Sequence, residues 1–279
     1  MNFFERFLYF FEGKMQIPTS FGWFHLMFVG ITVLLTVFLC LKFRDCDDKI
    51  FRRIVLITWI VIVVLEVLKQ LVFAFEYDGY TVTWKYQWYI FPYQLCDTPT
   101  YVLPLIAFIK EGKFRNALMS HLAFFAMFGG LVVFIYPNNV FASTTLINFQ
   151  TMIHHGSQIA MGVFFAVRNR RNFNLGFFLK AIPVFAALVS VAIILNESMY
   201  GYVSTNAPGD VFNVFYISRH FPCTLPILSE VYKAVPYPVF CLIYILGFAL
   251  VAFVVYNIEK LIISLVGRKA SSNAEQNNA

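Results

Sequence analysis

The sequence predicts an all-α protein, a polytopic bundle of about seven transmembrane helices with its N-terminus outside or in a lumen and its C-terminus in the cytoplasm. Three observations predict this fold. Hydrophobic residues make up 59% of the 279 residues and charged residues only 13%, whereas charged residues are roughly a quarter of a soluble domain. Several apolar runs approach the length of about 20 residues that crosses a bilayer. Basic residues are concentrated between those runs, where they set topology.

Seven apolar runs are candidate spans. They cover residues 21–41, 54–75, 92–109, 114–136, 149–167, 175–195 and 237–258. The third is the shortest, is polar at its start, and contains Pro104, which is expected to kink a helix. An odd number of crossings places the two termini on opposite sides of the membrane.

The basic residues of the connections predict the orientation. In chain order, the segments outside the runs hold two, five, one, three, no, three, two and three Lys and Arg residues, counting Arg115 at the edge of the fourth run. Richer and poorer segments alternate, and cytoplasmic loops carry the excess of basic residues. The N-terminal segment is among the poorer ones, so we expect it outside or in a lumen.

The chain divides into three parts on this interpretation. Residues 1–20 are aromatic but interrupted by charges, which predicts an interfacial helix on the outer surface. Residues 21–265 form a single transmembrane domain, with an outer loop over residues 200–236 that could cover a cavity. The polar end of the chain, residues 266–279, is expected to be a disordered tail.

Ionisable and polar side chains collect in the outer half of the predicted spans. The pairs Cys96-Asp97 and His154-His155 each lie near the start of a span that enters from the outer side. In the second span, Glu66, Lys69 and Gln70 share one helix face by their spacing, so Glu66 and Lys69 can neutralise each other. In the fifth span, Gln150, His154 and Gln158 fall on one line and must face protein or water. A polar chamber open to the outer leaflet explains these positions together. His121, near the cytoplasmic end of the fourth span, is predicted to lie away from it.

Each of these features also has a plain structural explanation. A lone Cys in a membrane helix is usually a small apolar filler, and Cys223 or Cys241, also on the outer side, could form a disulfide with Cys96. Paired His residues can simply bond neighbouring helices. The Glu66–Lys69 pair is more often a structural ion pair than a catalytic one, although its place in a membrane is costly.

Taken together, the same residues indicate nucleophilic chemistry. A thiolate is the reactive form of Cys, and a nearby imidazole such as His154 can take the thiol proton. Asp97 or Glu66 can orient the imidazole in a Cys-His-acid arrangement. For a substrate in the bilayer, acyl transfer through a thioester is the natural use of such a nucleophile. No cofactor and no metal is indicated, since two adjacent His residues cannot both face one ion from a regular helix. The net charge of +6 does not suggest nucleic acid as a partner.

Two short motifs carry a family resemblance. The strings Phe91-Pro-Tyr-Gln-Leu-Cys96-Asp97 and Gln150-Thr-Met-Ile-His154-His155-Gly156 each open a span. With the helices between and around them they resemble the YwaF-like integral membrane proteins, which are related to the transmembrane protein 164 family. That resemblance implies Cys-dependent transfer of fatty acyl chains between phospholipids, with Cys96 as nucleophile and His154 as its base; His155 is the less favoured base. Asn213-Val-Phe-Tyr216 only loosely resembles a family segment.

The sequence therefore leads to two functional hypotheses. The first is a multi-pass membrane acyltransferase acting on phospholipid and lysophospholipid. In it Cys96 and His154 are catalytic, and Asp97, His155, Glu66 and Gln158 support them. Gln94, Gln158 or backbone amides hold the oxyanion, and Lys69 or Arg219 meets the lipid phosphate. The second is a non-enzymatic transporter or lipid-binding protein that uses the polar chamber. Either would reside in the plasma membrane of a bacterium or in an endomembrane, such as the endoplasmic reticulum, of a eukaryote.

Overall fold

The structure, a computed structural model, describes residues 2–137 and 140–276, with side chains described up to residue 264. It is mostly helical. The α-helices are α1 Phe3–Phe11, α2 Trp23–Phe43, α3 Asp48–Ala74, α4 Thr98–Phe108, α5 Lys113–His121, α6 Met127–Ile135, α7 Thr145–Arg168, α8 Leu175–Leu179, α9 Ala181–Asn206, α10 Leu228–Ala234 and α11 Tyr237–Gln276. A π-helical turn, Leu122–Ala126, joins α5 to α6.

Five helical stretches among the described residues are long and apolar enough to cross a membrane. They are Trp23–Phe43, Asp48–Ala74, Lys113–Ile135, Leu175–Asn206 and Tyr237–Ser264. These stretches overlap the first, second, fourth, sixth and seventh predicted runs. The chain is thus a multi-pass membrane protein, while the count of seven crossings and the orientation of the termini stay predictions.

The third and fifth predicted spans are helical but differ from the other five. The third is a short apolar helix, Leu95–Phe108, that begins with a 3₁₀ turn. Pro99 lies in the first turn of α4. Proline is tolerated there because its missing N–H would be unpaired anyway. The fifth, α7, is long but carries buried Asn148, Gln150, His154 and Gln158. A polar helix of this kind is stable at membrane depth only when protein surrounds it.

Helix α7 is the axis of the bundle. It packs against α2, α3 and α6 and against the π-helical turn. Gly130 permits the close approach of α6, because a Cβ there would lie 2.7 Å from the carbonyl oxygen of His155 and 3.1 Å from Cβ of Gln158. Small residues allow helix backbones to approach in this way in membrane proteins. The line Gln150, His154 and Gln158 is buried, as its spacing predicts.

A small β-hairpin follows α3 and was not predicted. Strands β1 Phe75–Tyr77 and β2 Val82–Trp84 pair antiparallel, with Phe75 opposite Trp84. Helix α1 packs against this hairpin through aromatic contacts of Phe4 with Phe75 and of Tyr9 with Tyr77. Several other aromatic side chains of α1 stay exposed, which supports the proposal of an interfacial helix, now confined to Phe3–Phe11.

The C-terminal helix extends past the last predicted span. The backbone of α11 is helical over Tyr237–Gln276. In the region 266–279, where the sequence predicts a disordered tail, side chains lie outside the described residues, and residues 277–279 lie outside them entirely.

Candidate active site

Cys96 lies in a fixed turn rather than inside a regular helix. The residues Leu95–Asp97 form a 3₁₀ turn that leads into α4. The carboxylate of Asp97 accepts a hydrogen bond from the backbone N–H of Gln94 at 2.7 Å, closing a capping box. Asp97 therefore orients the backbone of the turn that carries Cys96. The turn presents a half-buried Cys96 next to a buried carboxylate.

The backbone carbonyl of Cys96 joins this turn to α7. His154 Nε2 lies 2.7 Å from the Cys96 carbonyl oxygen, and Gln158 Nε2 donates to the same oxygen. Both donors belong to the buried line of α7, one turn apart. The two predicted motifs thus meet, and the contact runs through the carbonyl oxygen of Cys96.

This geometry fixes the tautomer of a neutral His154. A carbonyl oxygen only accepts, so Nε2 carries the proton and Nδ1 holds the lone pair. Nδ1 of His154 and Oε1 of Gln158 are buried and have no hydrogen-bond partner among the described residues. The two side chains that bind the Cys96 carbonyl thus each keep one buried acceptor available for a donor, and unpaired buried acceptors are costly enough to favour one.

His155 bonds within its own helix. Its Nδ1 lies 2.7 Å from the carbonyl oxygen of Thr151, one turn earlier in α7, and its ring makes an edge contact with His154 at 5.4 Å between centroids. His155 thus holds its neighbour's ring in place, while His154 makes the contact with Cys96.

Glu66 is the centre of a second polar group beside this turn. The Nζ of Lys69 lies 2.9 Å from Glu66 Oε1, Gln70 Nε2 donates to the same oxygen at 2.8 Å, and Gln150 Nε2 donates to the other at 3.2 Å. Both partners of the ion pair are largely buried, with side-chain exposures of 16% for Lys69 and 6% for Glu66. The predicted pairing of Glu66 and Lys69 along α3 is thereby confirmed.

The Lys69 ammonium also acts on the Cys96 turn. Asp97, Glu66 and Cys96 are the charges that act on Lys69, and Lys69 is among the charges acting on Asp97 and Cys96. The Cys96 thiol thus lies near one cation and two carboxylates, and Lys69 offsets part of the effect that Asp97 and Glu66 have against the thiolate. The Glu66 group and the Cys96 turn therefore form one electrostatic site between α3, α4 and α7.

Residues 213–216, in the loop that was expected to lie over a cavity, contribute a wall of the site through contacts that sequence patterns did not predict. Gln94 Oε1 accepts from the N–H of Phe215 at 2.6 Å, and Gln94 Nε2 donates to the carbonyl of Asn213 at 3.2 Å. On the other side, Asn196 of α9 pairs with both backbone groups of Val214. The Gln94 bonds hold Asn213 and Phe215 against the Cys96 turn, and the Asn196 bonds hold Val214 against α9.

The loop is strained where it passes the site. Phe215 and Tyr216 have φ of 57° and 52°, which costs a non-glycine residue on the order of 1–3 kcal/mol and persists only where the surroundings over-determine it. Here the Phe215 side chain is buried and its carbonyl accepts from the Tyr244 hydroxyl at 2.7 Å.

Tyr216, the second strained residue, is 39% exposed and interacts electrostatically with the Cys96 turn. Desolvation raises the pKa of the Tyr216 phenol, and the charges of Cys96 and Asp97 raise it further. Its phenol therefore lies within electrostatic range of both groups. The tetrapeptide 213–216, only loosely similar to a family segment in sequence, supplies a wall of the site through Gln94 and a side chain through Tyr216.

His121 lies near the Cys96 turn, and its predicted separation from the polar cluster is wrong. Its Nε2 is 3.3 Å from Oγ1 of Thr98, the first residue of α4. The π-helical turn that follows His121 widens the helix there and packs against the Leu95–Asp97 turn. Such turns occur frequently at functional sites. Hydropathy gave no sign of this bulge, so the sequence placed His121 by counting regular turns.

Arg219 lies apart from the buried charges. Its Nε is 3.9 Å from Glu197 Oε1, and its side chain is 58% exposed. Glu197 also contacts His220, whose ring stacks on Tyr200 at 3.7 Å. Of the two candidates for the lipid phosphate, Lys69 thus belongs to the buried site, whereas Arg219 belongs to the exposed loop.

All five cysteines lie within the described residues and are free thiols, so the disulfide alternative for Cys96 is wrong in this structure.

In the part of the chain that the structure describes, no group of three or more His, Cys, Asp or Glu side chains could hold a metal ion. The site is built from a thiol, two imidazoles, two carboxylates, an ammonium and amides.

Comparison with known proteins gives one match. The family model of the TMEM164 family matches residues 20–258, a range that includes every residue of the site. No curated protein and no solved structure matches. Because the family match covers most of the chain, from before α2 into α11, this protein belongs to the TMEM164 family.

Proposed function

We propose that this protein is a membrane-embedded acyltransferase that moves a fatty acyl chain between a phospholipid and a lysophospholipid through a thioester on Cys96. The observation that carries the proposal is the meeting of Cys96 with His154, Gln158 and Lys69 inside a membrane protein. The two side chains on its carbonyl hold the Cys96 turn against α7, and the Lys69 ammonium acts on that turn electrostatically.

The reaction requires no cofactor. The Cys96 sulfur attacks the ester carbonyl of the donor lipid, the C–S bond forms and the C–O bond breaks, and the lysophospholipid leaves with the proton from the thiol. A hydroxyl of the acceptor lysophospholipid then attacks the thioester, forms the new C–O bond and returns its proton to sulfur. In this scheme His154 carries the proton between the two steps.

Nδ1 is the nitrogen of His154 that we assign to this task. Nε2 is engaged with the Cys96 carbonyl, whereas Nδ1 has a free lone pair and is buried. The unpaired Oε1 of Gln158 supplies a second acceptor for the incoming hydroxyl. Lys69 offsets part of the repulsion of Asp97 and Glu66 on a Cys96 thiolate, and Arg219 on the exposed loop is our candidate for the lipid phosphate.

An apolar groove beside Glu66 is our candidate for the acyl chain. It has a volume of about 350 Å³ and lies between α3, the hairpin and the start of α4. Apart from Glu66 and Gln70 at its inner end, its lining is mainly apolar and aromatic: Val63, Val67, Leu71, Ala74, Trp84, Tyr86, Pro92, Thr100 and Tyr101. A site of this kind presents a lipid chain to the polar group at its base.

The substitution His154→Gln tests whether His154 acts as a base or only positions the Cys96 turn. A glutamine amide can still donate to the Cys96 carbonyl but has no basic nitrogen. We expect acyl exchange to fall about 10²–10⁴-fold, the usual contribution of a general base, with the unfolding temperature close to that of the wild type. The assay follows a deuterium-labelled acyl chain from phosphatidylcholine to lysophospholipid by mass spectrometry. Wild-type activity in His154→Gln would reduce His154 to a positioning role.

Filling the groove tests where the acyl chain lies. Val67 lines the groove and Val64 does not, although each is 52% exposed on α3. We expect Val67→Trp to slow transfer of long acyl chains about tenfold or more while sparing short ones, since loss of a buried chain segment costs about 0.8 kcal/mol per CH₂. Val64→Trp is the matched control. Equal rates in both variants for all chain lengths would move the acyl chain elsewhere.

The same experiments bear on the alternative, a lipid-binding or transport protein without chemistry. Under that alternative Val67→Trp lowers lipid binding, but labelled acyl chains stay on their original lipid in every variant, including the wild type.

A further inference from the structure

A second cavity lies at the end of the bundle opposite Cys96. Its volume is about 260 Å³, and it opens where the connections α2–α3 and α4–α5 meet the C-terminal end of α7. Cys96 is at the start of α4, whereas this cavity is beyond the end of α4. Five arginines line it and define what we call the arginine cavity: Arg44, Arg115, Arg168, Arg170 and Arg171.

The carboxylates of the arginine cavity leave an excess of positive charge. Three acidic residues line it, Asp45, Asp48 and Glu111. Asp45 is shared by Arg44 at 3.5 Å and Arg170 at 2.7 Å. Asp48 is shared by Arg115 at 2.6 Å and by Arg52, which caps the end of α4. Each shared carboxylate thus serves two guanidinium groups.

Two of the arginines are held in place without full neutralisation. The guanidinium carbons of Arg115 and Arg168 lie 4.6 and 4.4 Å from the centroid of the buried Phe51 ring. The Arg115 side chain is 2% exposed, and its buried Nε has no hydrogen-bond partner among the described residues. Arg168 donates to the Cys46 carbonyl at 2.8 Å and pairs with no carboxylate in the described part of the chain.

We propose that the arginine cavity is a binding site for a phosphate dianion, either free or as the terminal phosphate of a monoester. Positively charged loops are expected on the cytoplasmic side of any membrane protein, but that rule does not require five arginines to line one cavity with two of them stacked on the same buried ring. Guanidinium groups present paired donors that match a phosphate dianion, and an anion here would relieve the repulsion between Arg115 and Arg168. The source of the phosphate is either a soluble ion or ester, or the headgroup of phosphatidic acid in the adjacent leaflet.

Binding measurements on the full chain distinguish the two sources. The purified protein is titrated with inorganic phosphate and glycerol 3-phosphate by calorimetry in a phosphate-free buffer. In parallel, it is placed in nanodiscs of phosphatidylcholine with or without phosphatidic acid, and bound lipid is counted by native mass spectrometry. Binding in the first arm assigns a soluble ligand, and retention of phosphatidic acid alone assigns a lipid. Absence of binding in both arms overturns the proposal.

Arginine variants place the ligand in the cavity. We expect Arg168→Gln to weaken binding at least about tenfold, as loss of one charge-assisted contact does. Arg171→Gln changes an exposed lining arginine with little risk to folding, and we expect a loss of about two- to fivefold. Arg53→Gln is the control, since Arg53 is exposed on the same end of the chain but does not line the cavity. The proposed site would be contradicted if Arg53→Gln lost as much ligand binding as the cavity variants, or if neither cavity variant lost any.

Discussion

Replacing Cys96 with alanine is expected to abolish acyl exchange while leaving the fold intact. The sulfur forms the covalent intermediate in the proposed reaction, so its removal should lower the rate by about a thousandfold or more, as loss of a catalytic nucleophile does. Because Cys96 is small and only half-buried, we expect a change in the free energy of unfolding of about 1 kcal/mol or less. The readout is transfer of a deuterated acyl chain between phosphatidylcholine and lysophospholipid, alongside a thermal unfolding curve.

The matched control is Cys40→Ala. Cys40 is also a free, half-buried thiol in a membrane-spanning helix, α2, but it lies outside the site. It should exchange acyl chains at the wild-type rate. If Cys96→Ala retains the rate of Cys40→Ala, the thiol has no part in the chemistry.

The largest effect on stability is expected from Glu66→Ala. This change leaves the buried Lys69 ammonium, Gln70 and Gln150 without their shared acceptor. Breaking a buried ion pair on one side costs about 3–5 kcal/mol, which should lower the unfolding temperature strongly in detergent. Glu197→Ala is the control, because the Glu197–Arg219 pair is exposed and such pairs contribute about 0–1 kcal/mol.

A double variant sharpens this prediction. In Glu66→Gln with Lys69→Met, both charges disappear and the amide can keep hydrogen bonds to its neighbours. Replacing both partners of a buried pair is often neutral, so we expect most of the lost stability to return. Equal unfolding temperatures for Glu66→Ala and Glu197→Ala would show that Glu66 is solvated rather than paired.

Much of the site follows from helix periodicity. The spacing of Gln150, His154 and Gln158 predicted their common buried face, and the spacing of Glu66 and Lys69 predicted their ion pair. Both are properties of single helices, which a sequence displays directly.

Other parts of the site depend on contacts between distant segments. The bonds from Gln94 to the backbone of Asn213 and Phe215 span about 120 positions in the chain, and no local pattern announces them. His121 was placed on the assumption of regular helical turns, which the π-helical turn after it breaks. The carbonyl, rather than the thiol, of Cys96 meets His154 because Cys96 lies in a 3₁₀ turn and not in a helix.

The positive φ angles of Phe215 and Tyr216 also have a physical cause that the sequence does not display. Nothing in Asn213-Val-Phe-Tyr216 favours positive φ, since aromatic residues adopt it at a cost. The anchors that impose it come from Gln94, Asn196 and Tyr244, on three other parts of the chain.

The most direct test of the central claim is detection of the acyl group on Cys96. The purified protein is incubated with phosphatidylcholine carrying a deuterated acyl chain, quenched in acid and digested, and the peptide that contains Cys96 is analysed by mass spectrometry. We predict the mass of the labelled acyl group on Cys96, removable by neutral hydroxylamine and transferred when lysophospholipid is added. Acyl exchange that proceeds with Cys96 unlabelled, or with the label on another residue, would contradict the thioester mechanism.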